Sequence, residues 1–261
     1  MDIILIFIAA IIGLMIGSFL NVCIYRVPKG LSIIKPRSLC PKCSNSLKFY
    51  DNIPVLSFII LGGKCRNCKN PISLRYPIIE LITAIITALM FFKWSSNPFW
   101  LAATLISSYI FIVIAIIDFE TMMIADIFSY AIVFLGLSFS FFNPNFLGAP
   151  LYKLAQSAIG ALVGAAMIWL LAFIGKKIYK KEEVGDGDIF LMAAIGAMLG
   201  VEGILTSLII ASVFGSVYGV ALMVLKKAKR FDHIPFGPFL VLGAIINMYS
   251  FIGINTFFFY I

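Results

Sequence analysis

Charged residues are scarce in this sequence. Asp, Glu, Lys and Arg together make up 12% of the 261 residues, whereas hydrophobic residues make up 62%. A soluble domain carries about twice that charged fraction, and the mean hydropathy is +1.06. The chain also contains no GxGxxG motif, internal repeat, low-complexity tract or heptad pattern. These absences argue against a soluble enzyme, a dinucleotide-binding fold, a solenoid and a coiled coil.

Long hydrophobic runs recur from end to end, at about the 17–25 residues that a helix needs to cross a bilayer. The candidates lie near 4–25, 77–92, 99–118, 124–142, 154–175, 189–200, 203–225 and 236–258, of which 189–200 is short. The first run has an acidic leader and no small-residue cleavage site, so we expect a retained helix rather than a signal peptide. We predict an all-α polytopic membrane protein of about eight transmembrane helices.

Basic residues are concentrated in alternate loops. Ten of the twenty Lys and Arg lie between Arg26 and Arg75, four lie in 176–181 and four in 226–230. This is the positive-inside pattern, so we expect these loops in the cytoplasm and both termini outside. The net charge of +8 therefore indicates membrane orientation in a lipid bilayer, not a nucleic-acid partner.

One polar stretch, 27–76, is long enough to form a separate module. We expect a first transmembrane helix at 1–26, a cytoplasmic module at 27–76 and a transmembrane bundle at 77–261.

Within that stretch, CPKC and CRNC form two Cys-x-x-Cys pairs that are 21 residues apart: Cys40, Cys43, Cys65 and Cys68. Four thiolates complete a closed, tetrahedral zinc site of structural type. Two disulfides are the alternative, but the expected cytoplasmic location is reducing, which favours zinc. The fifth cysteine, Cys23, lies in the first span, where we expect it to pack as an apolar side chain.

Two aspartates stand at span ends that the topology places on one membrane face. Asp118 closes the apolar run IFIVIAIID, and Asp188 closes the sequence GDGD. Carboxylates at membrane depth are costly and point to function. A pair that shares a site divides its roles, because one stays protonated while the other activates water, as in aspartic proteases.

The supporting residues of this predicted pair are its neighbours. Gly185 and Gly187 permit a tight turn and a close approach of a substrate backbone, and we assign Asp126 and Asp186 to capping or positioning. In the alternative interpretation, the four aspartates only cap helices: Asp118, Asp126, Asp186 and Asp188. An Asp118/Asp126 pair is less attractive, since eight helical residues span about 12 Å.

Seven motifs in order then resemble one family, the type IV prepilin peptidases, also called leader peptidase/N-methyltransferases. They are GSFLNVCIYRVP, RSLCPKCSNSL, DNIPVLSFIILGGKCRNC, ISLRYPIIEL, IDFETMMIAD, GDGD and IPFGPF. The resemblance implies an aspartic endopeptidase that cuts the basic leader from type IV prepilins or pseudopilins at the cytoplasmic membrane face, just before an apolar helix. It places the catalytic residues on Asp118 and Asp188. It also implies N-methylation of the new N-terminus with S-adenosylmethionine.

Two departures from the family pattern stand near the aspartates. Ala125 replaces the usual proline of Ile-Pro-Asp, and Phe190 stands where a lysine is common. No motif identifies the methyl-donor pocket, for which Glu80 is a weak candidate that could instead pair with Arg75. We expect the single histidine, His233, to be a solvated loop residue, and the GxxxG of Gly160 and Gly164 to serve close helix packing.

Three alternatives remain open from the sequence: a peptidase without methylation, an ion-coupled transporter with a zinc module, and a non-catalytic scaffold. A transporter predicts carboxylates near mid-bilayer and inverted repeats. The sequence shows neither. The pilin substrate, the pilus, competence or secretion system that it serves, and the oligomeric state are not encoded in these patterns.

Overall fold

The computed structural model describes residues 3–179, 185–227, 229 and 233–253. Its helices are α1 (Ile3–Arg26), α2 (Leu56–Ile60), α3 (Arg75–Trp94), α4 (Pro98–Thr121), α5 (Asp126–Phe139), α6 (Pro150–Tyr179), α7 (Asp186–Val224) and α8 (Gly237–Tyr249). Two isolated β-bridges are the only strand pairing in the described part of the chain. The predicted all-helical fold is confirmed.

Five of these helices (α1, α3, α4, α6 and α7) are long and apolar enough to cross a membrane, and α5 and α8 are shorter apolar helices. Each of the eight predicted runs contains helix, but the last run, 236–258, is helical only at Gly237–Tyr249, is non-helical at 250–253, and lies outside the described residues at 254–258. The runs 189–200 and 203–225 are both parts of α7, which has a non-helical break at Gly200. The count of eight crossings stays a prediction.

Contacts divide the chain into two compact units, Met1–Ser96 and Asn97–Ile261. In the first unit α3 packs on α1, whereas the sequence analysis grouped this span with the later bundle. The three-part division into 1–26, 27–76 and 77–261 stays a prediction.

The α1/α3 pair of the first unit is antiparallel and unusually close. A Cβ atom at Gly13 would lie 2.7 Å from Ala84 Cα, and one at Gly17 would lie 2.7 Å from Glu80 Cα. One helical turn further along α1, the Asn21 amide donates to the carbonyl of Tyr76 at 3.2 Å. Gly13 and Gly17 thus form a GxxxG contact that the sequence analysis did not single out.

In the second unit, α7 turns back on itself at Gly200. Gly200 has φ 71° and ψ −173°, a conformation that is essentially confined to glycine. A Cβ atom at Gly196 would lie 2.8 Å from Ile204 Cδ1, whereas eight residues of straight helix span about 12 Å. We call residues 186–199 the first arm of α7 and 201–224 the second arm.

The reversal leaves carbonyl groups of the first arm without helical partners, and side chains from other elements satisfy them. Ser157 Oγ donates to the Ala197 carbonyl at 2.7 Å, and Asn143 Nδ2 donates to the Met198 carbonyl at 2.9 Å. Inside a bilayer an unsatisfied carbonyl is costly, so these two bonds stabilise the break.

Small residues bring the neighbouring helices close to the first arm. A Cβ atom at Gly160 or Gly164 of α6 would overlap the backbone of Gly196 or Met192. The predicted packing role of this GxxxG motif is confirmed. Side chains of the first arm form much of the core of the unit, and Leu191, Met192, Ile195 and Met198 are almost fully buried.

Candidate active site and metal centre

Asp118 and Asp188 come together at one end of the second unit. Asp118 lies in the last turn of α4 and is 6% exposed. Asp188 lies in the first turn of α7. The two carboxyl groups are near enough for their charges to repel each other, so the structure brings together the two residues that the sequence analysis paired.

A backbone N–H from a helix N-terminus holds each carboxylate. Gly237, the first residue of α8, donates to Asp118. Gly185, the N-cap of α7, donates to Asp188, and the Asp188 N–H returns a bond to the Gly185 carbonyl at 3.1 Å. Asp188 therefore occupies the N3 position of α7 and is not the N-cap itself. The positive ends of two helix dipoles favour negative charge at this pair.

Ile124 fills the space between these two helix ends. A Cβ atom at Gly187 would lie 2.7 Å from Ile124 Cβ, and one at Gly237 would lie 3.4 Å from Ile124 Cδ1 and 2.5 Å from Asp118 Oδ2. Both positions must therefore lack a side chain if the helices are to approach. The sequence analysis gave Ile124 and Gly237 no role, although the motif IPFGPF contains Gly237 and would have pointed to it.

The supporting residues differ in their placement. A Cβ atom at Gly185 would meet no described residue within 4 Å, and the φ of −73° at this position is open to any residue. Asp126 is exposed in the first turn of α5. Asp186 begins α7, and its side chain lies outside the described residues. Supporting roles for these residues stay predictions.

Ala125 and Phe190, the two departures from the family pattern, both have defined local surroundings. Ala125 has φ −79° and ψ 111°, a φ that proline shares, so alanine holds the same turn. The Phe190 ring packs edge-on against Tyr130 of α5, with centroids 5.0 Å apart.

In the first unit, the four predicted cysteines form one cluster. The Sγ atoms of Cys40, Cys43, Cys65 and Cys68 all lie within 4.8 Å of one another, and those of Cys40 and Cys68 are 3.9 Å apart. Four sulfurs at about 2.3 Å from one zinc ion would be about 3.8 Å apart. The donor set and its spacing fit a tetrahedral metal site.

The two Cys-x-x-Cys turns of this cluster are built alike. In the first, the Cys40 N–H donates to the Asn45 carbonyl at 3.0 Å, and in the second, the Cys65 N–H donates to the Asn70 carbonyl at 2.8 Å. Ser44 and Lys69, which follow the second cysteine of each turn, both have positive φ. The backbone and side-chain amides of Asn70 lower the pKa of the Cys68 thiol to about 6, which favours the metal-binding thiolate.

Glu80 is buried in α3, where it is 7% exposed. Its Oε2 accepts the N–H of Val55 at 2.7 Å, and Ser18 also bonds this carboxylate. Val55 has φ 59° and ψ −48°, which is a strained conformation for a β-branched residue. The observed contacts of Glu80 fix the 53–55 turn, and a contact with a methyl donor stays a prediction.

His233 and Cys23 both lie in the surroundings that the sequence analysis expected. His233 is an exposed loop residue, and Cys23 is buried in α1.

Taken together, the helices indicate a multi-pass membrane protein that has a four-cysteine cluster in its first unit and a candidate carboxylate site in its second. Residues 11–94 match the family model of the bacterial peptidase A24 N-terminal domain, and residues 105–220 match that of the type IV leader peptidase family. The two matches fall on the two structural units. The chain belongs to the type IV leader peptidase family.

Curated relatives support this assignment over nearly the whole chain. A prepilin leader peptidase/N-methyltransferase from Aeromonas salmonicida is 32% identical over 90% of this chain and 87% of the relative. The protein of that name from Neisseria gonorrhoeae is 32% identical over 91% and 88%. A type 4 prepilin-like proteins leader peptide-processing enzyme from Escherichia coli is 34% identical over 92% of both chains. No solved structure matches the chain significantly.

The geometry predicts opposite outcomes for the two glycines of GDGD. Gly187→Ala places a methyl group against Ile124 and should displace Asp188, whereas Gly185→Ala adds a methyl group in open space. We expect Gly187→Ala to lower kcat/KM for prepilin cleavage about 100-fold and Gly185→Ala to lower it only a few-fold. Equal losses in two well-folded variants would show that the Gly187–Ile124 contact does not position the site.

Proposed function

We propose that this chain is a prepilin leader peptidase/N-methyltransferase of the bacterial cytoplasmic membrane, in which Asp118 and Asp188 are the catalytic pair. The observation that carries the proposal is geometric: Gly237, which lies against the Asp118 carboxylate, and Gly187, which directly precedes Asp188, both pack against Ile124. The cluster of basic residues in 26–75 and 226–230 supports a cytoplasmic location for the cysteine module and the aspartate site.

In this mechanism the ionised aspartate takes a proton from water, whose oxygen attacks the scissile carbonyl carbon. The protonated aspartate donates a hydrogen bond to the carbonyl oxygen, which gains negative charge. The proton then passes to the leaving amine as the peptide bond breaks. The N–H groups of Gly185 and Gly237 keep the pair in place and stabilise whichever member is charged.

The position of the aspartates weighs against the transporter alternative. An ion pathway requires carboxylates along the span, whereas Asp118 and Asp188 lie in the terminal turns of α4 and α7. The substrates that we propose are type IV prepilins or pseudopilins, whose apolar helix remains in the bilayer.

The catalytic pair predicts the effect of removing either acid. Asp118→Asn and Asp188→Asn keep the shape of the side chain but not its proton chemistry, so each should lower kcat about 10²- to 10⁴-fold. Because the pair acts as a unit, the double variant should be barely worse than either single variant. The measurement is cleavage of a purified prepilin by detergent-solubilised protein.

Asp126→Asn and Asp186→Asn are the matched controls and should lose much less activity. Substantial cleavage by a well-folded Asp118→Asn or Asp188→Asn protein would refute this assignment.

We further propose that the cysteine cluster holds one structural zinc ion. Zinc would be bound by Cys40, Cys43, Cys65 and Cys68, which leaves no open coordination position for a substrate. The zinc ion would hold the two Cys-x-x-Cys turns together, because these turns have little apolar core of their own.

Elemental analysis of protein purified without chelators should find about one zinc per chain. Cys68→Ser should lower the zinc content and destabilise the module, whereas Cys23→Ser, outside the cluster, should retain the metal. Less than a tenth of a zinc per intact wild-type chain, or a disulfide within either Cys-x-x-Cys pair, would contradict the proposal.

The methyl donor requires a site of its own, and the first unit contains a cavity of a suitable size. The cavity has a volume of about 630 Å³, within the usual range for small-molecule sites. Ile11, Met15 and Phe19 of α1 form an apolar wall, and Arg37 and Ser38 offer polar groups. We propose that it holds S-adenosylmethionine, with Arg37 near the donor's carboxylate and the α1 wall near its adenine. The donor supplies the methyl group that the new N-terminal amine receives.

Filling this cavity should separate methylation from cleavage. Ser38→Trp places a ring in the cavity, so we expect it to abolish methylation while cleavage continues. Ser46→Trp, on an exposed position of the same module, is the control and should retain both activities. Mass spectrometry of the mature pilin, with and without S-adenosylmethionine, gives the readout. Full cleavage without methylation by the wild type would restrict the protein to peptidase activity.

A further inference from the structure

A second, smaller cavity lies in the second unit, beside the start of α8. It has a volume of about 280 Å³ and lies between the second arm of α7 and the start of α8. The arm contributes Ser212, Gly215 and Ser216, and the opposite wall is formed by residues 234–236 and Phe239. Phe236 directly precedes Gly237, whose N–H holds the Asp118 carboxylate. Consecutive residues of the chain thus line the cavity and approach the Asp118 carboxylate.

A chain of aromatic rings also connects this cavity to Asp118. The Phe239 ring lies 5.5 Å from the Tyr218 ring. The Tyr218 ring in turn lies 6.0 Å from that of Phe119, the residue after Asp118. Since the second arm runs back from Gly200, it brings Tyr218 and the cavity to the end of the unit where Asp118 lies.

The lining favours one side of a prepilin substrate over the other. The cavity walls among the described residues carry aromatic rings, aliphatic groups and two hydroxyls, and no charged side chain. A basic leader residue would find no counter-charge among the described wall residues, and it would lose its hydration. An apolar side chain from the start of the mature helix would bury its surface against Phe236 and Phe239.

Gly215 determines the depth of this cavity. A Cβ atom there would lie 3.4 Å from Phe239 Cδ2 and 3.8 Å from Phe236 Cε2. These are ordinary contact distances, so the helix would accept a side chain at this position. A branched side chain would extend into the space between the two rings and occupy it.

We propose that this cavity is the subsite for the first apolar side chain on the mature side of the scissile bond, and that Gly215 sets the size it accepts. The inference rests on the proposed peptidase function, and it assigns a specificity role to residues that take no part in bond cleavage.

The test compares prepilins that carry Phe, Leu or Ala as the first mature residue. Gly215→Leu should lower kcat/KM about 10-fold or more for the Phe substrate. For the Ala substrate the loss should be several-fold smaller, so the variant's preference shifts toward the small residue. Gly215→Ala should give an intermediate shift. Val213→Leu, which adds bulk on an exposed position of this arm, should leave the preference unchanged.

The size-dependent preference separates a subsite from a structural role. An equal loss for all three substrates in Gly215→Leu and Gly215→Ala, or no loss with any substrate, would overturn the proposal. A shift in preference shows that the variant is folded, and wild-type zinc content and melting behaviour provide an independent check. If the wild-type protein cleaves none of the three substrates, the proposed peptidase function fails, and that result is distinct from failure of the subsite.

Discussion

The reversal of α7 at Gly200 is the constraint on which the second unit depends. A straight helix of 39 residues would be about 58 Å long and would carry its two ends far apart. The break instead returns the second arm alongside the first. Asp188 and Tyr218 therefore both lie at the end of the second unit that contains Asp118, in the last turn of α4. Such a break is tolerated at membrane depth only where its polar groups are satisfied. Ser157 and Asn143 meet that condition.

Close backbone contact has a chemical consequence at the aspartate site. Gly187 and Gly237 let the N-termini of α7 and α8 pack against Ile124, and the same approach brings two backbone N–H donors to the two carboxylates. Charge at a site shielded from water is costly unless fixed dipoles compensate for it. The helix ends provide that compensation before a substrate binds.

Much of this arrangement was predictable because its signals are local or follow a simple rule. Apolar runs indicated the helices, Cys-x-x-Cys spacing indicated the cluster, and alternation of basic loops placed Asp118 and Asp188 on one face although 70 residues separate them. The contacts of Ile124 and Gly237 were not predictable in this way, although the motif IPFGPF drew attention to Gly237. Each contact joins distant segments and leaves no periodic trace in the sequence. The fold-back of α7 was similarly hidden, since two adjacent apolar runs do not reveal how they are joined.

The departure at Phe190 can be understood from the helix on which it lies. Asp188 and residue 190 are two positions apart, and side chains at that spacing do not face each other on a helix. Residue 190 faces α5, where the Phe190 ring meets Tyr130. Phe190 therefore makes a helix-packing contact with α5, and the interactions found for the pair itself are those with the N–H groups of Gly185 and Gly237.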